Sequence, residues 1–294
     1  MKTKYRIIML IAIMNCLAYW GYSQYASDSN YAFNQGADYF RQYKFDDAIA
    51  WFDYSIKSRH NVTSSYVFKA GAEILSGKVR EGKTDLDIAF SMDSTIAMMY
   101  FYRARQYLAT NNVDSALFFL KRAVIIDPKD YNSYDNIAFC YGLKNMVDSA
   151  KKYQNEAIRL TNNAPLFVSH LAGYEYQAGE YELSLLHQKL ALDMSYKATR
   201  QKDPMILNSI AHCDWKLKKY QEALSECEEI LKSYPDFSMA YDLEGQINYD
   251  LGKKDKACSY FVIVSHIKGT EEFGLKELKA HDCPIENKTP PAGL

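Results

Sequence analysis

The sequence predicts an all-α fold, a solenoid of antiparallel helix pairs arranged in tandem. Three observations lead to this prediction: a repeat of fixed length, a small residue at two positions of every repeat, and a composition suited to close-packed helices. Hydrophobic residues make up 48% of the 294 residues and aromatic residues 14%, against only 13 Gly and 7 Pro. The chain can therefore bury a large core, and we expect disorder at its ends alone.

The repeat is 34 residues long and shows most clearly in its small residues. Counted from Ser29, the eighth and twentieth positions of seven successive repeats hold only Ala, Gly or Ser, with one five-residue insertion at 199–203. Two antiparallel helices can cross at short distance only where neither presents a bulky side chain, so each helix needs one small residue at the contact. The eighth positions are Gly36, Ala70, Ala104, Ala138, Ala172, Ala211 and Gly245, and the twentieth are Ala48, Gly82, Ala116, Ala150, Ser184, Ala223 and Ala257.

This period predicts seven helix pairs, at residues 29–62, 63–96, 97–130, 131–164, 165–198, 204–237 and 238–271. Pro128 and Pro235 should end two of the second helices, because proline removes a backbone hydrogen bond and clashes with the preceding turn. The insertion should extend the second helix of repeat five past Met194, and Asp203 before Pro204 is a strong helix start. Repeats five and six should still pack against each other.

Position 24 of each repeat should fill the space around the small residues. It is apolar in four repeats but Gln154, Gln188 and Cys227 in repeats four to six, where we expect looser packing. Residues 272–282 continue the pattern as one more helix, although Lys279 stands where a further partner would need a small residue. This helix should cap the C-terminal end through its apolar Leu275 and Leu278, and residues 284–294 should form a disordered tail.

The pattern resembles that of the tetratricopeptide repeat (TPR) family. Repeat three matches the family most fully, with Ala104, Tyr107, Ala116, Leu120, Ala123 and Pro128, and the resemblance covers residues 29–271. It implies a right-handed superhelical TPR solenoid, a single one over residues 24–283, that ends in the C-terminal capping helix. It also implies a protein that binds other proteins or peptides and is not an enzyme.

The family places positions 2, 5, 9, 12 and 13 of each first helix on a concave groove, which indicates the candidate binding residues. Aromatic rings there can bury apolar surface of a partner at low cost in side-chain entropy. Alternatively, several of these rings pack between adjacent repeats. The family's clamp for the carboxylate tail of a chaperone is absent, because Asn136 is the only one of its five residues present. The candidate groove residues are Phe33, Phe40, Phe101, Arg105, Phe139, Tyr176, His212, Trp215 and Tyr249.

No sequence signature of catalysis or of a bound cofactor is present. A phosphate-binding glycine loop, a G-x-S-x-G nucleophile turn and an H-E-x-x-H zinc motif are all missing from the sequence. The scattered histidines lack the spacing of metal ligands. Basic and acidic residues are interleaved, so no basic face indicates nucleic-acid binding. We therefore expect a non-enzymatic protein without cofactor, metal or nucleic-acid partner.

The N-terminus has the pattern of a bacterial secretory signal peptide. Lys2, Lys4 and Arg6 precede an apolar run over residues 7–20, and Gly21 and Ser23 form the small pair that a signal peptidase needs. We expect cleavage after residue 23 and hence an exported protein, periplasmic or secreted. Removal of these three basic residues would leave 32 basic against 36 acidic residues, a net charge of −4 instead of −1. Two alternatives stay open, a retained membrane anchor and a lipoprotein lipidated at Cys16.

Five cysteines follow residue 23, an odd number that leaves at least one thiol free. Cys258 lies on the last second helix, and Cys283 follows the capping helix that should fold back against it. The two are candidates for a disulfide closing a loop of 25 residues. Two free thiols are an equal alternative, and Cys213 with Cys227 is a less favoured pair.

Together these features favour an exported adaptor that holds an extended or helical segment of another protein in its groove. The alternative is a structural scaffold subunit of a cell-envelope assembly that uses its outer face or its ends. Replacing Trp215 and Phe139 by Ala separates the two, because only the adaptor depends on the groove.

Overall fold

The computed structural model describes residues 30–59 and 61–284, where the only regular elements are α-helices. The all-α prediction is therefore confirmed. The predicted signal peptide and nearly all of the predicted tail lie outside the described residues. Helix α1 occupies residues 30–41. It is followed by α2 (Phe45–Lys57), α3 (Val62–Leu75), α4 (Val79–Met92), α5 (Ala97–Ala109), α6 (Val113–Ile126), α7 (Tyr131–Leu143), α8 (Val147–Leu160), α9 (Pro165–Gln177), α10 (Tyr181–Thr199), α11 (Pro204–Lys216), α12 (Tyr220–Ser233), α13 (Ser238–Asp250), α14 (Lys254–His266) and α15 (Glu271–Ala280).

Each predicted repeat contains one helix pair, and α15 stands where the capping helix was expected. Helix α6 ends before Pro128 and α12 before Pro235, as predicted. Contacts between Cα atoms divide the chain into two compact units, unit 1 through Cys140 and unit 2 from Tyr141. A single solenoid over residues 24–283 stays a prediction. None of the helices in the described part is long and apolar enough to span a bilayer.

All fourteen small residues at positions 8 and 20 are buried. A Cβ atom added to Gly82 would lie only 2.8 Å from the carbonyl oxygen of Ala70, so position 20 of α4 rests directly on position 8 of α3. In repeat seven the same addition to Gly245 would lie 2.4 Å from the ring of Phe261. Close approach of the two helices is therefore the reason for the small residues, as the sequence predicted.

Position 24 is filled by buried side chains of two kinds. Two glutamines there hydrogen bond to the first helix of a repeat: Gln154 donates from Nε2 to the carbonyl oxygen of Phe167 at 3.1 Å. Gln188 donates to the carbonyl oxygen of Ser169 at 3.2 Å and accepts from its hydroxyl at 2.8 Å. Both amides are almost as buried as the apolar side chains, and hydrogen bonds take the place of the looser packing that we expected. The apolar residues at this position, all fully buried, are Phe52, Leu86, Leu120 and Phe261.

Positions 11 and 23 of a repeat face each other, and in two repeats they carry stacked aromatic rings. Tyr107 stacks on Phe119 and Tyr141 on Tyr153, each with ring centroids 5.4 Å apart. These rings join the first and the second helix of the same repeat. They supply an apolar contact between the two helices.

Polar side chains replace the rings at the same two positions in repeats five and six. Nδ1 of His187 lies 2.8 Å from the buried carboxylate of Glu175. In repeat six the pair consists of two acids, Asp214 and Glu226. Burial and then the charge of Asp214 raise the pKa of Glu226 to about 7. Repeat six therefore contains a partly buried carboxyl group that is partly protonated near neutral pH.

In repeat two, which belongs to unit 1, positions 11 and 23 are part of a buried cluster of charged side chains. Nζ of Lys69 lies 2.9 Å from carboxylate oxygens of both Asp53 and Asp85, and 3.7 Å from Glu73. The cluster joins α2, α3 and α4. Burial and then the charge of Asp85 raise the pKa of Glu73 to about 7.

The insertion after repeat five lengthens one helix and leaves the packing continuous. Helix α10 runs for 19 residues to Thr199, and α11 begins at Pro204. The Asp203 carboxylate accepts a hydrogen bond from the backbone N–H of Met205 at 2.8 Å, which caps α11. Leu185 of α10 and Ile206 of α11 belong to one buried cluster. The extension past Met194, the helix start at Pro204 and the packing of repeat five against repeat six are therefore confirmed.

Helix α15 lies against α14 at the C-terminal end of the described chain. A Cβ atom on Gly274 would lie 2.3 Å from the backbone nitrogen of Ser265, so the two helices are almost in backbone contact there. Leu278 is buried, whereas Leu275, predicted as its companion, is 40% exposed. The expectation for Leu275 was wrong, because Gly274 provides the contact that brings α15 close.

Cys258 and Cys283 are joined by a disulfide, with Cα atoms 5.6 Å apart. The bond connects α14 to the residues that follow α15. Between them, the ring of His281 stacks on that of Phe261 at 4.8 Å. The other cysteines of the described chain are free and buried: Cys140, Cys213 and Cys227.

Candidate functional site

Two of the candidate groove residues in unit 1 take part in packing between repeats. The Phe33 ring contacts those of Phe52 and Phe68, with centroids 5.7 and 5.6 Å away. The Phe40 ring contacts those of Phe68 and Tyr102 at 6.0 and 6.2 Å. Both rings are half-buried, so the structure places them in the packing role that the sequence left open as the alternative.

The other three candidates in unit 1 are more varied. Phe101 is half-buried with its ring centroid 5.4 Å from that of Tyr102. Nη1 of Arg105 donates to Oδ1 of Asn136 at 3.3 Å, so the one residue shared with the carboxylate clamp already has a partner. Phe139 is 47% exposed. It is therefore the most accessible aromatic candidate of this unit.

Unit 2 holds three candidates in one row across α9 and α11. The ring of His212 lies 6.5 Å from that of Tyr176 and 6.0 Å from that of Trp215. Nε1 of Trp215 donates to the Asp250 carboxylate at 2.7 Å, and Nζ of Lys216 lies 3.8 Å from the indole centroid. Burial, and then the charge of Lys216, lower the pKa of His212 to about 4. The row is therefore rigidly held, and its histidine is neutral at pH 7.

Tyr249 continues this row toward the C-terminus. It is 42% exposed, and its ring lies 4.4 Å from that of His281. The disulfide of Cys258 and Cys283 holds His281 in place from two residues away. The C-terminal cap therefore supports the last candidate residue.

A further set of exposed apolar residues runs along unit 2 at position 2 of successive first helices. Position 2 belongs to the groove expected from the sequence, but these residues were not among its candidates. We call them the apolar ladder. Its members, with their exposed fractions, are Leu166 (59%), Met205 (54%), Met239 (40%) and Phe273 (45%).

Gly173 marks an open part of the same surface, at position 9 of α9. A Cβ atom added there would meet no other atom within 4 Å. Since α9 contacts α11 and α11 contacts α13, the first helices of unit 2 form one continuous surface, which we call the first-helix face. It carries the aromatic row, the apolar ladder and the open space at Gly173.

The TPR family model matches residues 131–163, which correspond to repeat four. A solved TPR protein from Parabacteroides merdae has the same fold, with a TM-score of 0.65 over 87% of this chain and 99% of that protein, at 15% identity. The described residues have the fold of a tetratricopeptide repeat protein. The single matched repeat and the tandem helix pairs agree with the frame read from the sequence.

Other TPR structures share this fold. The type IV pilus biogenesis factor PilW has a TM-score of 0.61 and 16% identity, over 70% of this chain and 94% of its own. PilF of Pseudomonas aeruginosa has a TM-score of 0.59 and 15% identity, over 74% and 96%. The Cell division cycle protein 16 homolog of Mus musculus is 26% identical over 145 residues, 47% of this chain. The match spans only 23% of that curated relative's length.

TPR folds are scaffolds for protein–protein interaction, and proteins built from them are generally not enzymes. Among the described residues, no His, Cys, Asp and Glu side chains come together in threes to hold a metal ion. A cavity of about 480 Å³ lies beside Tyr31, Ala50, Trp51 and Tyr54 of repeat one. Tyr31 lies at position 3 of repeat one. At the same position of repeat two, Ser65 hydrogen bonds to Ser55 of repeat one, so position 3 faces the preceding repeat. The cavity therefore belongs to the edge of a repeat.

Proposed function

We propose that the first-helix face of unit 2 binds an apolar, helical segment of another protein, and that the protein is an adaptor. The observation that carries this proposal is the apolar ladder, four exposed apolar side chains at one position of successive first helices. Folding does not require them, since they stay exposed. An exposed apolar row of this kind is typical of an interaction surface.

The chemistry beside the ladder favours an apolar partner over a charged one. Two charged groups engage the ring system of Trp215, Asp250 through a hydrogen bond and Lys216 through the ring face. His212 is neutral at pH 7. The aromatic row therefore offers ring surface to a partner, together with the flexible Met205 and Met239, which adapt to its shape.

The spacing of the ladder favours a helix as the bound segment. Packed helices lie about 8–10 Å apart, so successive ladder residues are separated by roughly that distance. Residues seven apart on a helix are separated by about 10.5 Å and lie on one face. In an amphipathic helix, one apolar residue of each heptad can thus contact one residue of the apolar ladder.

Gly173 allows a direct test of this face. In Gly173→Phe the added ring projects into open space, so the fold should persist while the face is blocked; Gly173→Ala is the matched control. We expect partner recovery from envelope extracts to fall with Gly173→Phe, and also with Trp215→Ala, but not with Gly173→Ala. Circular dichroism checks the fold of each variant. Equal recovery with all three would contradict the proposal.

Export is the second part of the proposal, and it rests on the leader pattern at residues 1–23. N-terminal sequencing of the protein from cells should find Gln24 as the first residue. An intact Met1, or a lipid on Cys16, would instead indicate that the protein is attached to a membrane.

A scaffold role is the second candidate function, favoured by apolar residues on the second helices of unit 1. Phe118 is 55% and Ile125 69% exposed on α6, one on each side of Arg122. If these residues join the protein to an envelope assembly, replacing both by Glu should release it from the assembly. Gly173→Phe would then have no effect.

A further inference from the structure

Helix α10 presents three leucines to solvent. Leu183 is 39%, Leu186 62% and Leu190 46% exposed. Spacings of three and four residues place them in one stripe along the helix. The stripe lies on a second helix and is separate from the first-helix face.

The neighbouring repeats show that the fold does not need apolar residues there. The leucines occupy positions 19, 22 and 26 of repeat five. Repeats four and six of the same unit carry only polar residues at these positions: Ser149, Lys152 and Glu156, and Glu222, Ser225 and Glu229. Three leucines at positions where neighbouring repeats are polar indicate a surface that another molecule covers.

We infer that this stripe pairs with the same stripe of a second copy, antiparallel and about a two-fold axis. Glu182 and Lys189 are both exposed and lie seven residues apart, so they flank the stripe on one side. When Leu183 faces Leu186 of the second copy, Glu182 lies beside Lys189 of the second copy. The two-fold axis repeats this contact, which gives two ion pairs of opposite charge. The charges along α10 are therefore complementary to those of α10 in a second copy that runs in the opposite direction.

The length of the paired segment sets the strength of this association. When Leu183 faces Leu186 of the second copy, residues 181–188 of the two α10 helices lie side by side over about 12 Å, and Leu190 lies beyond the paired segment. So short a contact buries well under the ~1,200 Å² found in stable complexes, so the dimer is a weak one. The inference does not depend on the proposed function, because the two use different helices.

Sedimentation velocity at about 1 to 100 µM tests the inference on purified protein. The wild type should pass from monomer to dimer across this range. Leu186→Glu should weaken the dimer by about 100-fold, since it places two buried charges in the contact. Ser225→Glu, at the same repeat position on α12, is the matched control and should change nothing. A wild-type monomer at every concentration, or a Leu186→Glu dimer as strong as the wild type, would overturn the inference.

Charge reversal tests the two-fold pairing itself. Glu182→Lys and Lys189→Glu should each weaken self-association about tenfold, because both contacts then join like charges. When the two variants are mixed, both contacts join opposite charges again, so a mixed dimer should form with wild-type affinity. Circular dichroism confirms that each variant is folded. Two weak variants that fail to associate with each other would refute the antiparallel pairing and point to a different protein as the occupant of the stripe.

Discussion

Reduction of the disulfide between Cys258 and Cys283 should loosen the C-terminal helix pair. The bond closes a loop of 25 residues that contains most of α14 and all of α15. In the chain-entropy description, a loop of this length restricts the unfolded chain by about 3.5 kcal/mol at 25 °C. The effect should concentrate here, because an end repeat packs on one neighbour only.

Hydrogen exchange of backbone amides measures this change locally. A loss of about 3.5 kcal/mol corresponds to a roughly 300-fold rise in the opening equilibrium, so amides of α15 should exchange on the order of 100-fold faster after reduction. Amides of α9, far along the chain from the bond, should keep their rates. The exchange of Tyr249 should also rise, because His281 beside it loses its restraint.

A double variant, Cys258→Ala with Cys283→Ala, is the control for the reductant. It should resemble the reduced protein and should not respond to reducing agent. If reduction changed exchange in α15 by less than about threefold, the contacts of Gly274 and Leu278 would hold the cap by themselves and the loop argument would fail.

Two further predictions concern unit stability, measured by urea unfolding. Gly82→Ala should destabilise by about 1–3 kcal/mol, because its Cβ would meet the carbonyl oxygen of Ala70, whereas Gly173→Ala should stabilise by about 0.5–1 kcal/mol. Similar effects of the two would contradict the role given to helix approach. The pKa of Glu226, raised from its ordinary 4.5 to about 7, means that the folded state holds a proton that the unfolded chain releases in this window. Stability should therefore fall as pH rises from about 4.5 to 7, and Glu226→Gln should reduce that slope; an unchanged slope would show that Glu226 is not the group responsible.

The sequence predicted the helix pairs well because two helices in backbone contact allow only small residues at the contact. At Gly82, anything larger would strike the neighbouring helix, so the requirement appears directly in the residue type. No such signal was available for Gly274, at position 3 of the capping helix, because other repeats carry large buried residues there, such as Met99 and Phe167. Position 3 makes contacts between repeats and not within one.

Exposure was harder to predict than position. Met205 and Met239 fit a core pattern as well as a surface one, since the period fixes where a residue lies on its helix and not whether another helix covers it. Phe33 and Phe40 were candidates for the groove, yet neighbouring rings surround them in the structure. The acids at position 11 were overlooked for a related reason. Their partners at position 23 belong to another helix, and a pairing across helices leaves no local pattern.

The facing residues at positions 11 and 23 have a consequence for how the chain finds its order during folding. Repeats of similar shape invite a first helix to close on the second helix of the wrong repeat. If α9 closed on α8, Glu175 would lie against the ring of Tyr153, and His187 on α10 would be left without its carboxylate. Glu175 would exchange its histidine partner for a tyrosine ring and His187 would lose its carboxylate, so this mispaired state is disfavoured. The different chemistry of repeats four and five thus favours the pairing of α9 with α10.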